Sequence, residues 1–239
     1  MLTIGIVGGL SPESTILYYR TIVHEYRRRH GDEKYPNIVI YSVNFGLFHE
    51  YLSKGKDVEA ANIIVEALKA LHRAGADFAL ISANTPHMLM PLIAPRSPLP
   101  ILHIADALAE ELIKHGVKRV GLLGTRYTLT RGFYVEHLKR YGIEALIPEP
   151  TEVETVNRII FDELVKGIVR EESRRALIEI SKRLVQRGAE AIALACTELP
   201  LAIPEDSIDG AKVFDTAKIH AIKALELAER NALPRSTAP

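Results

Sequence analysis

The chain has 239 residues, of which 47% are hydrophobic, enough to bury a large core in one domain or in two of about 100 residues each. Its 30 basic and 30 acidic side chains cancel at neutral pH, so no net field favours a nucleic acid backbone or an anionic membrane surface. A small-molecule ligand is therefore expected, with neither nucleic acid nor membrane as a partner.

The first residues and the cysteine count predict the compartment. Met1 to Ile4 lead directly into a strand pattern without a basic leader segment, and no apolar run reaches the roughly 18 residues that a membrane span needs. The one cysteine, Cys196, forms no internal disulfide, and no cysteine and histidine cluster has zinc-ligand spacing. The sequence thus predicts a cytoplasmic protein without a metal site, in which Cys196 is either buried filler or a reactive group.

Short runs of Val, Ile, Leu and Ala alternate with longer segments of helical period, which is typical of βαβ units around a parallel sheet. The predicted strands are 4–7, 38–41, 78–81, 120–123 and 191–195. Their successive residues are apolar, which predicts that helices cover both faces of each strand. The predicted helices include 59–74, 174–187 and 216–230.

Two parts of the sequence repeat without a gap. The segment 75–85 reads GADFALISANT and 188–198 reads GAEAIALACTE, so Ala83 aligns with Cys196. A second pair, 4–9 and 120–125, reads IGIVGG and VGLLGT. A repeat of this length predicts two similar α/β domains that face one another rather than a solenoid.

The repeat also predicts the domain bounds. The first domain takes 1–105 together with 215–239, so the C-terminal helix returns to the first half, and the second domain takes 106–214. Residues 234–239 are turn-forming and polar, and a frayed end is expected there.

Ligands of parallel α/β sheets bind beyond the carboxyl ends of the strands, so the loops that follow the strands are the places to search. The first of these, 8–15, reads GGLSPEST, in which Ser11 can cap a helix that Pro12 begins. The glycines allow backbone N–H groups to approach an anion. The loop is neither a dinucleotide-binding fingerprint nor a P-loop, because lysine is missing and the glycine spacing differs. An anion site and a plain tight turn both remain open.

Two matching loops, 83–86 and 196–198, carry hydroxyl groups that suit a carboxylate ligand. The dipole of a following helix lowers the pKa of a thiol in this position, which predicts a thiolate near neutral pH at Cys196. The alternative is a buried, inert cysteine.

Weaker candidates follow other strands. In the loop 124–128, Thr128 is the better ligand candidate, and Arg126 is either a carboxylate-binding cation or a solvated loop residue. The histidines that follow strand ends lack the spacing of metal ligands, so structural hydrogen bonds are expected for His87, His103 and His220.

Taken together, the segments TIGIVGGLSPEST (3–15), NT (84–85), GTRYT (124–128) and CTE (196–198) resemble the aspartate/glutamate racemase family. Supporting segments are 41–45, 157–164 and 213–217. The resemblance covers nearly the whole chain, and its specificity comes from the set of motifs rather than from any one of them.

The resemblance implies an amino-acid racemase that needs no cofactor, including no pyridoxal phosphate, and that commonly forms a homodimer. Its active site would lie in a cleft between two pseudo-symmetric α/β domains, with a cysteine from each half beside the substrate α-carbon. Inversion needs one group to take the α-proton and another to return a proton to the opposite face. Hydrogen-bond donors would stabilise the carbanion, and these are backbone N–H groups near Ser11, Asn84, Thr85, Thr128 and Thr197.

The sequence departs from the family pattern at the first cysteine, where it has Ala83. Alanine cannot move a proton, so Ala83 is expected only to line the substrate site. Cys196 remains as the catalytic group for one face, with Thr197 and Glu198 beside it in the substrate site. Thr85 or a bound water is the expected substitute on the other face, since some family members replace one cysteine with a hydroxyl residue.

Two other functions remain open. Relatives with a single cysteine resemble decarboxylases of substituted malonates, in which one proton donor suffices once carbon dioxide has left. A catalytically impaired homologue that only binds a dicarboxylate is the third alternative. Aspartate or glutamate racemisation, made asymmetric by Ala83, is the first hypothesis because the surrounding motifs are those of the amino-acid branch.

Overall fold

The computed structural model describes residues 1–234. Residues 235–239, which include most of the predicted frayed tail and the end of the predicted first domain, lie outside this described part. The chain divides by its internal contacts into two compact units, Met1–Ile104 with the segment from His220, and Ala105–Ile219. The predicted domain bounds, 1–105 with 215–239 and 106–214, stay a prediction for the limits of independently folding parts.

The first unit is built on a four-stranded parallel sheet. Its elements in chain order are β1 (Ile4–Gly8), α1 (Pro12–His30), β2 (Ile38–Ser42), α2 (Phe45–Ser53), α3 (Asp57–Arg73), β3 (Phe78–Ile81), a 3-10 helix (Thr85–Leu89), α4 (Met90–Ile93), a second 3-10 helix (Ala94–Arg96) and β4 (Ile101–Leu102). The strand order is β2-β1-β3-β4, and each neighbouring pair is parallel.

The second unit is built on a five-stranded sheet. Its elements, from the helix in which the chain enters it, are α5 (Ile104–Lys114), β5 (Arg119–Gly124), α6 (Arg126–Thr130), α7 (Phe133–Lys139), β6 (Glu144–Leu146), α8 (Pro150–Asp162), a 3-10 helix (Leu164–Lys166), α9 (Glu171–Gln186), β7 (Ala191–Ala195), α10 (Leu199–Ala202), β8 (Ser207–Ile208), β9 (Ala211–Asp215) and α11 (Thr216–Glu229). The order is β6-β5-β7-β9-β8, and only β8 runs antiparallel to its neighbour.

The predicted fold class, α/β with two parallel sheets, is confirmed. All five predicted strands are present as β1, β2, β3, β5 and β7, and the short strands β4, β6, β8 and β9 add to them. None of the helices within residues 1–234 is long and apolar enough to cross a membrane.

Strand β2 contradicts the prediction that helices cover both faces of every strand. It is the edge strand of its sheet, and Ile40 and Tyr41 are 41% and 43% exposed. The other four predicted strands are buried apart from Arg119 at the start of β5. An apolar run indicates a strand but does not tell whether the strand has neighbours on both sides.

The strand register preserves the sequence repeat. In the first unit β1 pairs with β3 so that Ile4 lies opposite Phe78, and in the second β5 pairs with β7 so that Val120 lies opposite Ala191. These are the residues that the repeat aligns. Each unit therefore brings the carboxyl ends of its two repeated strands side by side.

An acidic side chain ties the start of the repeated strands in each unit. Asp77 Oδ2 accepts a hydrogen bond from the N–H of Thr3 at 2.7 Å. The aligned residue, Glu190, accepts one from the N–H of Lys118 at 2.6 Å. The two copies thus share side-chain contacts as well as backbone pairing.

A glycine in each central strand allows a helix to pack closely against the sheet. A Cβ built at Gly5 would lie 3.3 Å from Leu71 Cδ1, and a Cβ at Gly121 would lie 3.0 Å from Leu184 Cβ. The repeat aligns these two glycines and these two leucines. The missing side chain is therefore the space that α3 fills in the first unit and α9 fills in the second.

The substitution Gly121→Ala tests this packing. We expect it to lower the free energy of unfolding by about 1–3 kcal/mol, because the added methyl group crowds Leu184 and Ile192 in a filled core. The matched control is Gly46→Ala in α2, where the nearest atom outside the neighbouring residues would be 3.4 Å away. Alanine is the better helix former, so the control is expected to be neutral or stabilising. Urea unfolding of both variants measures the difference, and equal effects would contradict the packing argument.

Candidate active site

A close approach of two chain segments shapes the turn after β1. Gly9 has a φ of +81°, and a Cβ there would lie 2.4 Å from the carbonyl oxygen of Val43. Its N–H donates to Thr15 Oγ1 at 2.8 Å. Any other residue would be strained and would clash, so glycine is required to place the start of α1 beside the end of β1.

The prediction that Ser11 caps a helix beginning at Pro12 is confirmed. The N–H of Ser14 donates to Ser11 Oγ at 3.3 Å, and the N–H of Ser11 donates to Ser14 Oγ at 3.2 Å. This reciprocal pair is a capping box at the start of the 19-residue helix α1. Both polar groups of Ser11 are therefore engaged in the cap, and a contact with substrate stays a prediction.

The turn after β3 collects the first-unit candidates. Ala83 and Asn84 are buried, and the half-buried Thr85 begins the 3-10 helix that follows. Before them, Ser82 Oγ donates to the carbonyl oxygen of Val7 at 3.1 Å, which joins the ends of β1 and β3. At the position that corresponds to Cys196, the first unit offers only the methyl group of Ala83.

The turn after β5 is a second hydroxyl cap. Thr125 Oγ1 accepts from the N–H of Thr128 at 3.3 Å, and the two hydroxyl oxygens lie 3.1 Å apart. Thr128 is buried, whereas Arg126 is exposed and forms an ion pair with Glu154, as a solvated loop residue does. The Thr128 amide is engaged in the cap, and its role as a substrate donor stays a prediction.

The turn after β7 joins three predicted site residues. Cys196 Sγ donates to Glu198 Oε2 at 3.1 Å, and Thr197 Oγ1 donates to the same oxygen at 2.7 Å. Cys196 is 7% exposed and packs in the core of the second unit, while Thr197 and Glu198 are half-buried. The thiol is thus held against a carboxylate at the carboxyl end of a buried strand.

The prediction of a thiolate at Cys196 is wrong. Burial raises the pKa of the thiol well above its ordinary value, and the negative charge of Glu198 raises it further. The following helix, α10, has only four residues, so its dipole is too small to offset these effects. Cys196 is therefore a protonated thiol at neutral pH, fit to give a proton and in need of a base before it can take one.

Sequence reasoning missed the buried carboxylate that follows β9, the strand next to β7. Asp215 Oδ1 accepts from the N–H groups of Ala217 and Lys218 at 3.0 and 3.1 Å, and burial raises its pKa. An aspartate directly before a predicted helix was the available signal, because this residue type commonly caps helices.

The predicted structural role of the buried histidines is confirmed for His87 and His220, whose ring nitrogens bond main-chain groups of the first unit. In the second unit, Asp106 Oδ1 accepts from Tyr141 at 2.7 Å and also bonds His137 Nε2. Direct hydrogen bonds already occupy this oxygen, and we assign no metal or cofactor to it.

Comparison with known proteins covers most of the chain. A family model described as Asp/Glu/Hydantoin racemase matches residues 7–224. An Asp/Glu racemase structure from Yersinia pestis, so assigned without proof of activity, is 39% identical with a TM-score of 0.90, over 96% of this chain and 100% of that one. An aspartate racemase homologue from Pyrococcus horikoshii is also 39% identical, with a TM-score of 0.82 and the same coverage. A glutamate racemase from Aquifex aeolicus is 26% identical over 200 residues, 79% of this chain and 73% of its own.

The substitution Glu198→Gln tests the charge acting on the thiol. Loss of the negative charge is expected to lower the pKa of Cys196, although burial keeps it above the ordinary value. Only the thiolate reacts with iodoacetamide, so the alkylation rate at pH 8 should rise and its pH profile should shift to lower pH. Glu179→Gln, which removes an exposed charge paired with Lys182, is the matched control and should change neither. An unchanged profile in Glu198→Gln would show that Glu198 does not act on the thiol.

Proposed function

Because the chain belongs to the Asp/Glu/Hydantoin racemase family, we propose that it is an amino-acid racemase for aspartate- or glutamate-type substrates, with Cys196 as the proton-transfer group. Racemases are isomerases. The observation that carries the proposal is the Cys196 and Glu198 pair at the end of β7, opposed in the repeat by Ala83.

The chemistry assigned to the pair is proton transfer at the substrate α-carbon. Glu198 takes the thiol proton of Cys196, and the resulting thiolate takes the α-proton, leaving a carbanion stabilised by hydrogen-bond donors around the carboxylate. In the reverse direction the thiol protonates the carbanion and recovers its own proton from Glu198. The high thiol pKa favours the donor direction.

The other face of the α-carbon lacks an equivalent acid or base. Ala83 is inert, so a water molecule or the hydroxyl of Thr85, two residues along the same turn, is proposed to carry the proton there. A hydroxyl group is a far weaker acid than a thiol. Exchange on this face is therefore proposed to be the slow step, which makes the reaction asymmetric.

The remaining site assignments support substrate binding. Asn84, Thr85 and Thr197 follow the two repeated strands and are proposed to face the substrate carboxylates. Ser11 and Thr128 are proposed to act through the caps in which they take part. Cofactor independence, a homodimer and a cytoplasmic location stay predictions from the family resemblance.

Deuterium exchange tests the asymmetry. In deuterated buffer, one enantiomer of aspartate or glutamate should lose its α-proton at least about tenfold faster than the other, because one face has a thiol and the other does not. Cys196→Ser should slow the fast exchange by a factor on the order of a hundred or more. Proton NMR of each enantiomer measures both rates. Equal exchange of the two enantiomers, or none with either amino acid, would count against the proposal.

Ala83→Cys provides the gain-of-function arm of the same experiment. A thiol at position 83 should speed the slow face, whereas Ala74→Cys, an exposed position before the opposite end of β3, should leave both rates unchanged. No gain in Ala83→Cys would place this residue outside the substrate site.

A single-cysteine decarboxylase is the second candidate, and the observation that favours it is Ala83 itself. Loss of carbon dioxide creates the carbanion without a base, so one proton donor suffices. Turnover of a disubstituted malonate to a product of one handedness, abolished in Cys196→Ser, would establish this reaction. Absence of amino-acid exchange in the same preparation would then exclude the racemase.

A further inference from the structure

His87 bridges two turns of the first unit through fixed hydrogen-bonding roles. The ring is buried, and its Nδ1 lies 2.9 Å from the carbonyl oxygen of Ala83 and 3.3 Å from that of Asn84. Its Nε2 accepts from the N–H of Ile104 at 3.3 Å. A carbonyl oxygen only accepts and an amide N–H only donates, so the ring is neutral with its proton on Nδ1.

The bonds from Nδ1 determine where two amide groups point. In a planar trans peptide the C=O and the following N–H point in opposite directions. The carbonyl groups of Ala83 and Asn84 both face the ring, so the N–H groups of Asn84 and Thr85 are directed away from it. These are two of the groups assigned to the substrate carboxylate.

The Nε2 bond fixes the ring itself to the next strand. Ile104 directly follows the turn after β4, and β4 is the parallel neighbour of β3. His87 therefore connects the carboxyl ends of two adjacent strands and holds the turn after β3 at a set height above the sheet.

The second unit has no counterpart of this imidazole. The repeat aligns His87 with Pro200, whose side chain has no hydrogen-bonding group. There the turn after the repeated strand is held instead by Glu198, which accepts from Cys196 and Thr197. The two turns are equivalent in backbone position and differ in what holds them.

We infer that His87 is a positioning residue, which orients the N–H groups of Asn84 and Thr85 to receive a carboxylate of the substrate. The inference rests on the proposed function for its ligand, an amino acid or dicarboxylate. It assigns to the first unit the binding of a carboxylate, at the position where that unit has lost its proton-transfer group.

A nearby hydrogen bond supplies a matched control. Tyr18 OH donates to His220 Nδ1 at 2.9 Å, and His220 Nε2 donates to the carbonyl oxygen of Leu102 at 3.0 Å. Both side chains are buried in the same unit as His87, and neither of these bonds involves residues 83–85. Tyr18→Phe removes one buried hydrogen bond of the first unit and leaves the turn after β3 unchanged.

The experiment compares His87→Leu, His87→Asn and Tyr18→Phe in the full chain. Leucine removes both ring nitrogens, whereas the asparagine amide can place a donor where Nδ1 lies. With L-aspartate, D-aspartate and malonate as probes in titration calorimetry, His87→Leu should raise the dissociation constant at least about tenfold. His87→Asn and Tyr18→Phe should stay within about threefold of the wild-type value. Equal weakening in His87→Leu and Tyr18→Phe, or no rescue by asparagine, would overturn the inference.

Nitrogen-15 NMR of the wild-type histidines provides a test that needs no variant. A protonated Nδ1 and an unprotonated Nε2 are expected at His87, and the opposite tautomer would overturn the inference even if every variant were unstable. If the wild-type protein neither binds nor exchanges aspartate or glutamate, the proposed function fails. The orientation of the turn is then still decided by the tautomer and by the amide shifts of Asn84 and Thr85 in His87→Leu.

Discussion

The fold depends on a close packing of helix against strand that only glycine allows. In each unit a central strand carries a glycine, and a leucine from α3 or α9 occupies the space above it. Because this contact sets how near the helix lies to the sheet, it also sets how the central strand meets its repeated neighbour. The two strands then end side by side, and the turns that carry Ala83 and Cys196 emerge at equivalent places in their units.

The features that sequence predicted are those determined locally. Apolar runs identified five strands, and glycines after periodic segments marked the ends of α3 and α9. Strands β4 and β8 have two residues each and depend on distant partners, so no local pattern indicates them. The position of Cys196 followed from its place after a strand, but the direction of its pKa shift did not, because burial is a property of the packed core. The role of His87 required the position of Ile104, which β4 determines.

The two units show how one scaffold supports unlike turns. The turn after β3 is held from beneath by an imidazole that bonds main-chain carbonyl groups. The turn after β7 is held by a carboxylate that bonds side chains, one of which is the thiol. A turn held through its main chain keeps its amide groups in place, and a turn held through side chains keeps an acid and a base in contact. The proposed division into carboxylate binding and proton transfer follows this difference.

The preserved register also bears on how such a chain diverges after duplication. The single helix α1 of the first copy corresponds in position to the separate helices α6 and α7 of the second, so a helix has been broken or fused without disturbing the strands. Selection against change falls on the glycine and leucine pairs, where a methyl group is too much, and spares the residues that follow the strands. One copy can therefore lose or gain a catalytic group by a single substitution while the other copy maintains the ancestral arrangement.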